Sequence, residues 1–186
     1  MGLKLKMAGW LLPLVRRQII VVLFKQTAQA FQAEMPPLEG LSTGECLREY
    51  AIFTRVQAGR ALRNPRNQSL IQARLRQDGY HLASKIRKRG RLNSLKEVMA
   101  VARLLYRALA IDFEGTPTGE ITIRQCYFSR FYSGQVCEVI SALDEGILAG
   151  LAGEGKLKFS RRITEGYPTC RACFMTKEGQ PCARQL

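Results

Sequence analysis

Five of the six cysteines stand close together near the end of the chain: Cys126, Cys137, Cys170, Cys173 and Cys182. A thiolate is both a nucleophile and a soft metal ligand, so such a cluster can attack an electrophilic carbon or hold a metal ion. Cys137 follows Ser133, a good helix cap, and so falls in the first turn of a predicted helix. The partial positive charge at a helix start favours thiolate there. Ser141 and Asp144 lie four and seven residues further on, on the same stripe. A carboxylate on that stripe can act as base or as metal ligand. The plainer alternative is a small buried cysteine with Asp144 exposed to solvent.

Cys170-Arg171-Ala172-Cys173 has the spacing of a zinc or redox pair. On a regular strand, residues three apart point to opposite faces, so both sulfurs reach one ion only if the strand bends. Cys126 and Cys137 could join Cys170 in a three-thiolate site, completed by Cys173, Asp144 or water, with zinc or iron as the metal. Glu165 sits in a turn just before Cys170 and is either an acid/base group or a solvated turn carboxylate. His81 is the single histidine and lies in a basic stretch. General acid or base work therefore falls to a carboxylate, Cys, Lys or Tyr.

The elements that must position these residues follow from periodicity and caps. Residues 3–34 read as a helix ended by Pro36-Pro37. Its apolar surface of Leu12, Val15, Ile19, Val22 and Phe31 suits a packing helix, a dimer contact or a membrane surface. Ser42 or Thr43 caps a second helix, about 44–63. Residues 66–92 read as partly helical, over 68–77 and 81–89. Asn93 or Ser94 caps a helix over about 94–111, and Asp112 to Gly119 reads as a turn-rich linker.

After Gly119 the period changes to two. Glu120 to Tyr127 alternates, as a half-buried strand does. A helix follows over 134–151. Lys156 to Thr164 alternates again, Glu165 to Pro168 is a hairpin turn, and Thr169 to Thr176 returns as a strand. The predicted class is α+β: a helical N-terminal part, then a small antiparallel sheet with a packed helix. The division is 1–92, basic and helical, and 93–186, cysteine-rich, the two forming one compact domain.

The chain has 186 residues, with 29 Lys and Arg against 15 Asp and Glu, a formal net charge of +14. Such charge points to nucleic acid or an anionic membrane. Its distribution separates it from the thiols. Residues 55–91 carry 11 basic residues and one acid, Asp78, whereas the segment after 113 is nearly neutral. Aromatic interleaving is sparse in 55–91, so base stacking has little support, and phosphate or lipid-headgroup contact is the electrostatic alternative. The apolar run at the start is broken by Arg16 and Arg17, which argues against a transmembrane span and a secretory signal. The expected location is cytoplasmic, with reduced thiols, or peripheral at a membrane. A homo-oligomer is open.

One family resembles the second half. The matching residues are Cys126-Tyr127-Phe128-Ser129, Val136-Cys137-Glu138, Leu143 to Leu151 with Asp144 at its start, Phe159 to Gly166, then Cys170 and Phe174. This pattern resembles the L-2-amino-thiazoline-4-carboxylic acid hydrolases over about residues 95–176. A related cysteine pattern occurs in the small-molecule-binding domains named after vinyl reductase. The first resemblance implies hydrolysis of a cyclic amidine to a carbamoyl-cysteine. It implies Cys126, Cys137, Asp144 and Glu165 as catalytic groups, with Arg124 or Arg162 pairing with the substrate carboxylate. The second implies a non-enzymatic module that binds a metal or small ligand and docks through its basic surface.

Overall fold

A computed structural model describes the backbone over residues 3–176 and side chains from Val15 onward. Four helices come first: α1 (Leu3–Phe31), α2 (Thr43–Ala61), α3 (Pro65–Gly90) and α4 (Leu95–Ala108). Strands β1 (Ile111–Gly115) and β2 (Glu120–Cys126) follow, then a 3-10 turn, Tyr127–Arg130. Helix α5 (Gly134–Ala152) precedes strands β3 (Lys156–Arg161) and β4 (Cys170–Met175), which a second 3-10 turn, Ile163–Glu165, connects. The predicted α+β class is the observed one, with the helical part first.

The caps decide several boundaries. Ser42 opens α2 and Ser94 opens α4. Each accepts the backbone N–H of the glutamate three residues on, whose carboxylate reaches back to the cap. Two free donors are satisfied by each reciprocal pair. Ser133 caps α5 by accepting from the Val136 N–H. At α3, Asn64 is the cap and Pro65 the first helical residue, where the missing N–H costs nothing.

Helix α3 corrects the two-piece reading of 66–92: it runs unbroken through Asp78-Gly79-Tyr80. Gly79 is no breaker. A Cβ there would stand 2.7 Å from the Leu143 carbonyl oxygen on α5. On α5 itself, a Cβ at Gly146 would stand 2.1 Å from the Arg76 carbonyl oxygen, and one at Gly150 would stand 2.4 Å from that of Tyr80. These three positions let α3 and α5 touch backbone to backbone, and tertiary contact overrides the propensity cost of glycine. Arg76 then reaches Glu145 at 2.7 Å, which occupies part of the basic segment within the fold.

The segment read as a linker after α4 contains β1. Ile111 and Phe113 are buried and Asp112 between them is exposed, an alternation of three residues too short to stand out. The sheet is antiparallel with order β1-β2-β4-β3. Its inner face presents Phe113, Ile121, Ile123, Cys170, Ala172 and Phe174 to the helices. The described hydrophobic core is one cluster that runs from Ile20 on α1 to Phe174 on β4, so residues on both sides of position 92 share it. No helix among the described residues is long and apolar enough to cross a membrane.

Candidate functional site

A cavity of about 70 Å³ lies between the sheet and the helices, and it gathers the predicted chemistry. Cys126 enters it from the end of β2, Cys137 and Asp144 from α5, and Cys170 from the start of β4. Tyr50, Tyr106 and Tyr132 line it as well, with Ser129 and Thr164. Residues far apart in the chain converge because α5 crosses the inner face where β2 and β4 pair, with Ile123 opposite Cys170.

Asp144 is the central group. It is half-buried and lines the cavity. Burial pushes its carboxyl up to about 6, while the Tyr106 hydroxyl and the Arg162 charge act in the opposite sense. Tyr106 Oη donates to Asp144 Oδ1 at 2.8 Å. Its ring stacks on Phe113 at 4.8 Å between centroids, which anchors the donor. Tyr106 is a partner that sequence reasoning missed. A buried tyrosine hydroxyl needs an acceptor, and only the fold supplies Asp144.

The thiols do not behave as the helix start suggested. Burial raises the Cys137 thiol, although Thr164 and Arg162 both favour its thiolate. Desolvation therefore outweighs both of these groups. Cys126 is pushed up to about 12 by burial, against the N–H groups of Phe128 and Ser129 that point at its sulfur. Cys170 is raised for the same reason, and its sulfur accepts the Ile163 N–H at 3.3 Å. All three stand as neutral thiols near neutral pH.

Arg162 faces this group. Its guanidinium lies 4.7 Å from the centroid of the Phe159 ring and favours the charged forms of Cys137, Asp144 and Cys170. One nitrogen pairs with Glu165 at 3.3 Å. Its Nε is buried and has no hydrogen-bond partner, and the buried Thr164 hydroxyl lies against the Cys137 sulfur and favours its thiolate.

Three predicted site residues lie elsewhere. Arg124 is on the exposed sheet face and pairs with Glu114 at 2.5 Å, because strand alternation sends it opposite to Ile123. Glu165 is exposed, does not line the cavity and pairs with Arg162. Cys173 points away from Cys170, as the strand period requires, and it is disulfide-bonded. It is therefore neither a reduced thiol nor a ligand beside Cys170. Among the described residues, no group of three His, Cys, Asp or Glu is arranged to hold a metal ion. The four-cysteine zinc or iron site is thus not formed. Cys126, Cys137 and Cys170 share a cavity but not a ligand sphere. Cys182 lies outside the described residues.

No protein-family model, curated protein or solved structure matches the chain.

Proposed function

We propose that the protein is a small-molecule hydrolase that opens a cyclic amidine of the aminothiazoline-carboxylate kind, with Asp144 as general base. The observation that carries this reading is a carboxyl group tuned to about 6 inside a thiol-lined cavity. A base with that proton affinity is mostly ionised at neutral pH, yet takes a proton far more readily than an ordinary aspartate. The substrate class comes from the resemblance of the residue pattern to the thiazoline hydrolases.

The chemistry balances without a cofactor. Water adds to the amidine carbon between sulfur and nitrogen, and Asp144 takes the proton that the water loses. The carboxyl passes that proton to the amidine nitrogen, then takes the proton of the hydroxyl so added and gives it to the ring atom that departs, so that the hydroxyl becomes the carbonyl of the carbamoyl-cysteine. Tyr106 holds Asp144 in place. The unpaired Nε of Arg162 and the Thr164 hydroxyl suit the substrate carboxylate. No step is routed through a metal, because the cysteines do not form a site for one.

A second reading is a non-enzymatic pocket for a small ligand. The raised thiols favour it, since neutral thiols are poor nucleophiles. One experiment separates the two. Purified protein is incubated with 2-aminothiazoline-4-carboxylate at neutral pH, and carbamoyl-cysteine is followed by mass spectrometry. Turnover is expected, and Asp144→Asn should lower it by about 10²–10⁴-fold. Binding without turnover would replace the hydrolase reading with the pocket reading.

A further inference from the structure

Three tyrosine hydroxyls meet in the Asp144 cavity. Tyr50 comes from α2, Tyr106 from α4 and Tyr132 from the segment between β2 and α5, and all three are buried. Their oxygens lie close enough to sense one another. Burial does most to raise the phenols of Tyr106 and Tyr132, and Tyr50 and Cys126 add to it at both. Arg162 faces Asp144, Cys137 and Cys170 instead. The cavity therefore has a hydroxyl pole and a cationic pole. Asp144 stands between them, bonded to Tyr106 and within the field of Arg162.

The directions of two hydrogen bonds decide what the hydroxyl pole offers. Tyr132 Oη is hydrogen-bonded to the Thr54 hydroxyl of α2. Two hydroxyls divide the roles either way, but Thr54 has further partners. Its Oγ1 stands 2.7 Å from the Tyr50 carbonyl oxygen and 3.2 Å from that of Ala51, one turn back on its own helix. A carbonyl oxygen only accepts, and a hydroxyl has one proton. The Thr54 proton therefore goes to the helix carbonyls, and Tyr132 is the donor in its pair with Thr54. Tyr106 likewise commits its proton, to Asp144. Both phenol oxygens keep lone pairs and have no proton left for the cavity. Tyr50 pairs with Thr27 at 3.1 Å, where either hydroxyl can donate.

We propose that Tyr132 sets substrate specificity: its phenol oxygen accepts an N–H of the ring's amino group, so the cavity takes the amino-substituted ring and rejects the ring with an oxo group in its place. The inference rests on the proposed function for the identity of the ring and for its carboxylate at Arg162. In that ring the amino carbon and the carboxylate carbon flank one nitrogen, as the two poles flank Asp144. An oxo group would set lone pair against lone pair, and a buried polar group left without its partner costs more than the missing bond. The neutral thiols of Cys126 and Cys137 are weak donors and do not replace a hydroxyl proton.

The test measures binding, not turnover. It uses two aromatic analogues whose ring resists hydrolysis, 2-aminothiazole-4-carboxylate and 2-oxo-2,3-dihydrothiazole-4-carboxylate. Each is titrated calorimetrically into the full-length parent, Tyr132→Phe and Thr54→Val, with circular dichroism and Tm to establish that the variants fold. The parent should prefer the amino ligand by about tenfold or more. Tyr132→Phe removes the acceptor and should cut that preference to about threefold or less. Thr54→Val keeps the phenol and frees its proton for the cavity, so the oxo ligand should gain by about tenfold. A structural role alone would weaken both ligands alike and leave their ratio unmoved. A parent without the preference, a parent that binds neither ligand, or an unchanged ratio in a folded variant would overturn the inference.

The outcome is separable from that of the hydrolase reading. Selective binding that depends on Tyr132, without turnover of the thiazoline, keeps the specificity residue and removes the reaction. Turnover of the thiazoline with a ratio that neither variant moves keeps the reaction and removes the role of Tyr132.

Discussion

Asp144→Asn isolates the most consequential electrostatic feature of the fold. In the native protein the carboxyl rises from 3.8 to about 6. A folded-state value above the unfolded one means that the native state binds the proton more tightly. The associated stability is then fully present below about pH 4 and is lost as pH rises through about 6. The shift corresponds to about 3 kcal/mol over the whole window. About 1.4 kcal/mol of it falls between about pH 5 and about pH 7.5. Asparagine keeps an oxygen to accept from Tyr106 and carries no charge at any pH. The variant should therefore lack this component and be more stable than the parent above neutral pH. Other carboxylates also titrate in acid, among them Asp78, whose carboxyl is raised, and Glu45, Glu97 and Glu114, whose carboxyls are lowered. The difference between parent and variant cancels them. Urea denaturation of both proteins at the two pH values measures it. Equal pH dependence in parent and variant would refute the buried, ionisable placement of Asp144, and with it the base assigned to hydrolysis.

Two further outcomes follow from packing and burial. Gly146→Ala drives a methyl group against the Arg76 carbonyl, so α3 and α5 must separate. Overpacking costs about 1–3 kcal/mol, which exceeds the helix preference gained by alanine at its lower end of about 0.8 kcal/mol. A lowered Tm is expected, and an unchanged or raised one would show that the helices do not touch at this point. Cys126 should resist iodoacetamide in the native protein, because a thiol at about 12 rather than 9.0 carries about a thousandfold less thiolate in mild base. Peptide mapping after a timed exposure reads it, and rapid full labelling of Cys126 before unfolding would contradict its burial.

The sequence by itself determined most of the elements. Ser42, Ser94 and Ser133 are local signals, because a cap bonds to a backbone N–H three residues away. The alternation of Ile121 with Thr122 and of Cys170 with Arg171 is local too, and it was enough to set Cys173 apart from Cys170. Contacts between distant segments were not legible. Gly79 and Gly150 resemble helix breakers in a linear reading, yet each is the point where another backbone passes. The helix start of Cys137 suggested an activated thiol, but burial by other elements raises it. Arg124 and Arg162 are the same residue type, one on β2 and one just past the end of β3. Only the sheet order and the turn after β3 place one in solvent beside Glu114 and the other beside Cys137 and Asp144. Local chemistry sets which face a side chain takes, while the desolvation and the partners that decide its reactivity come from elements far away in the chain.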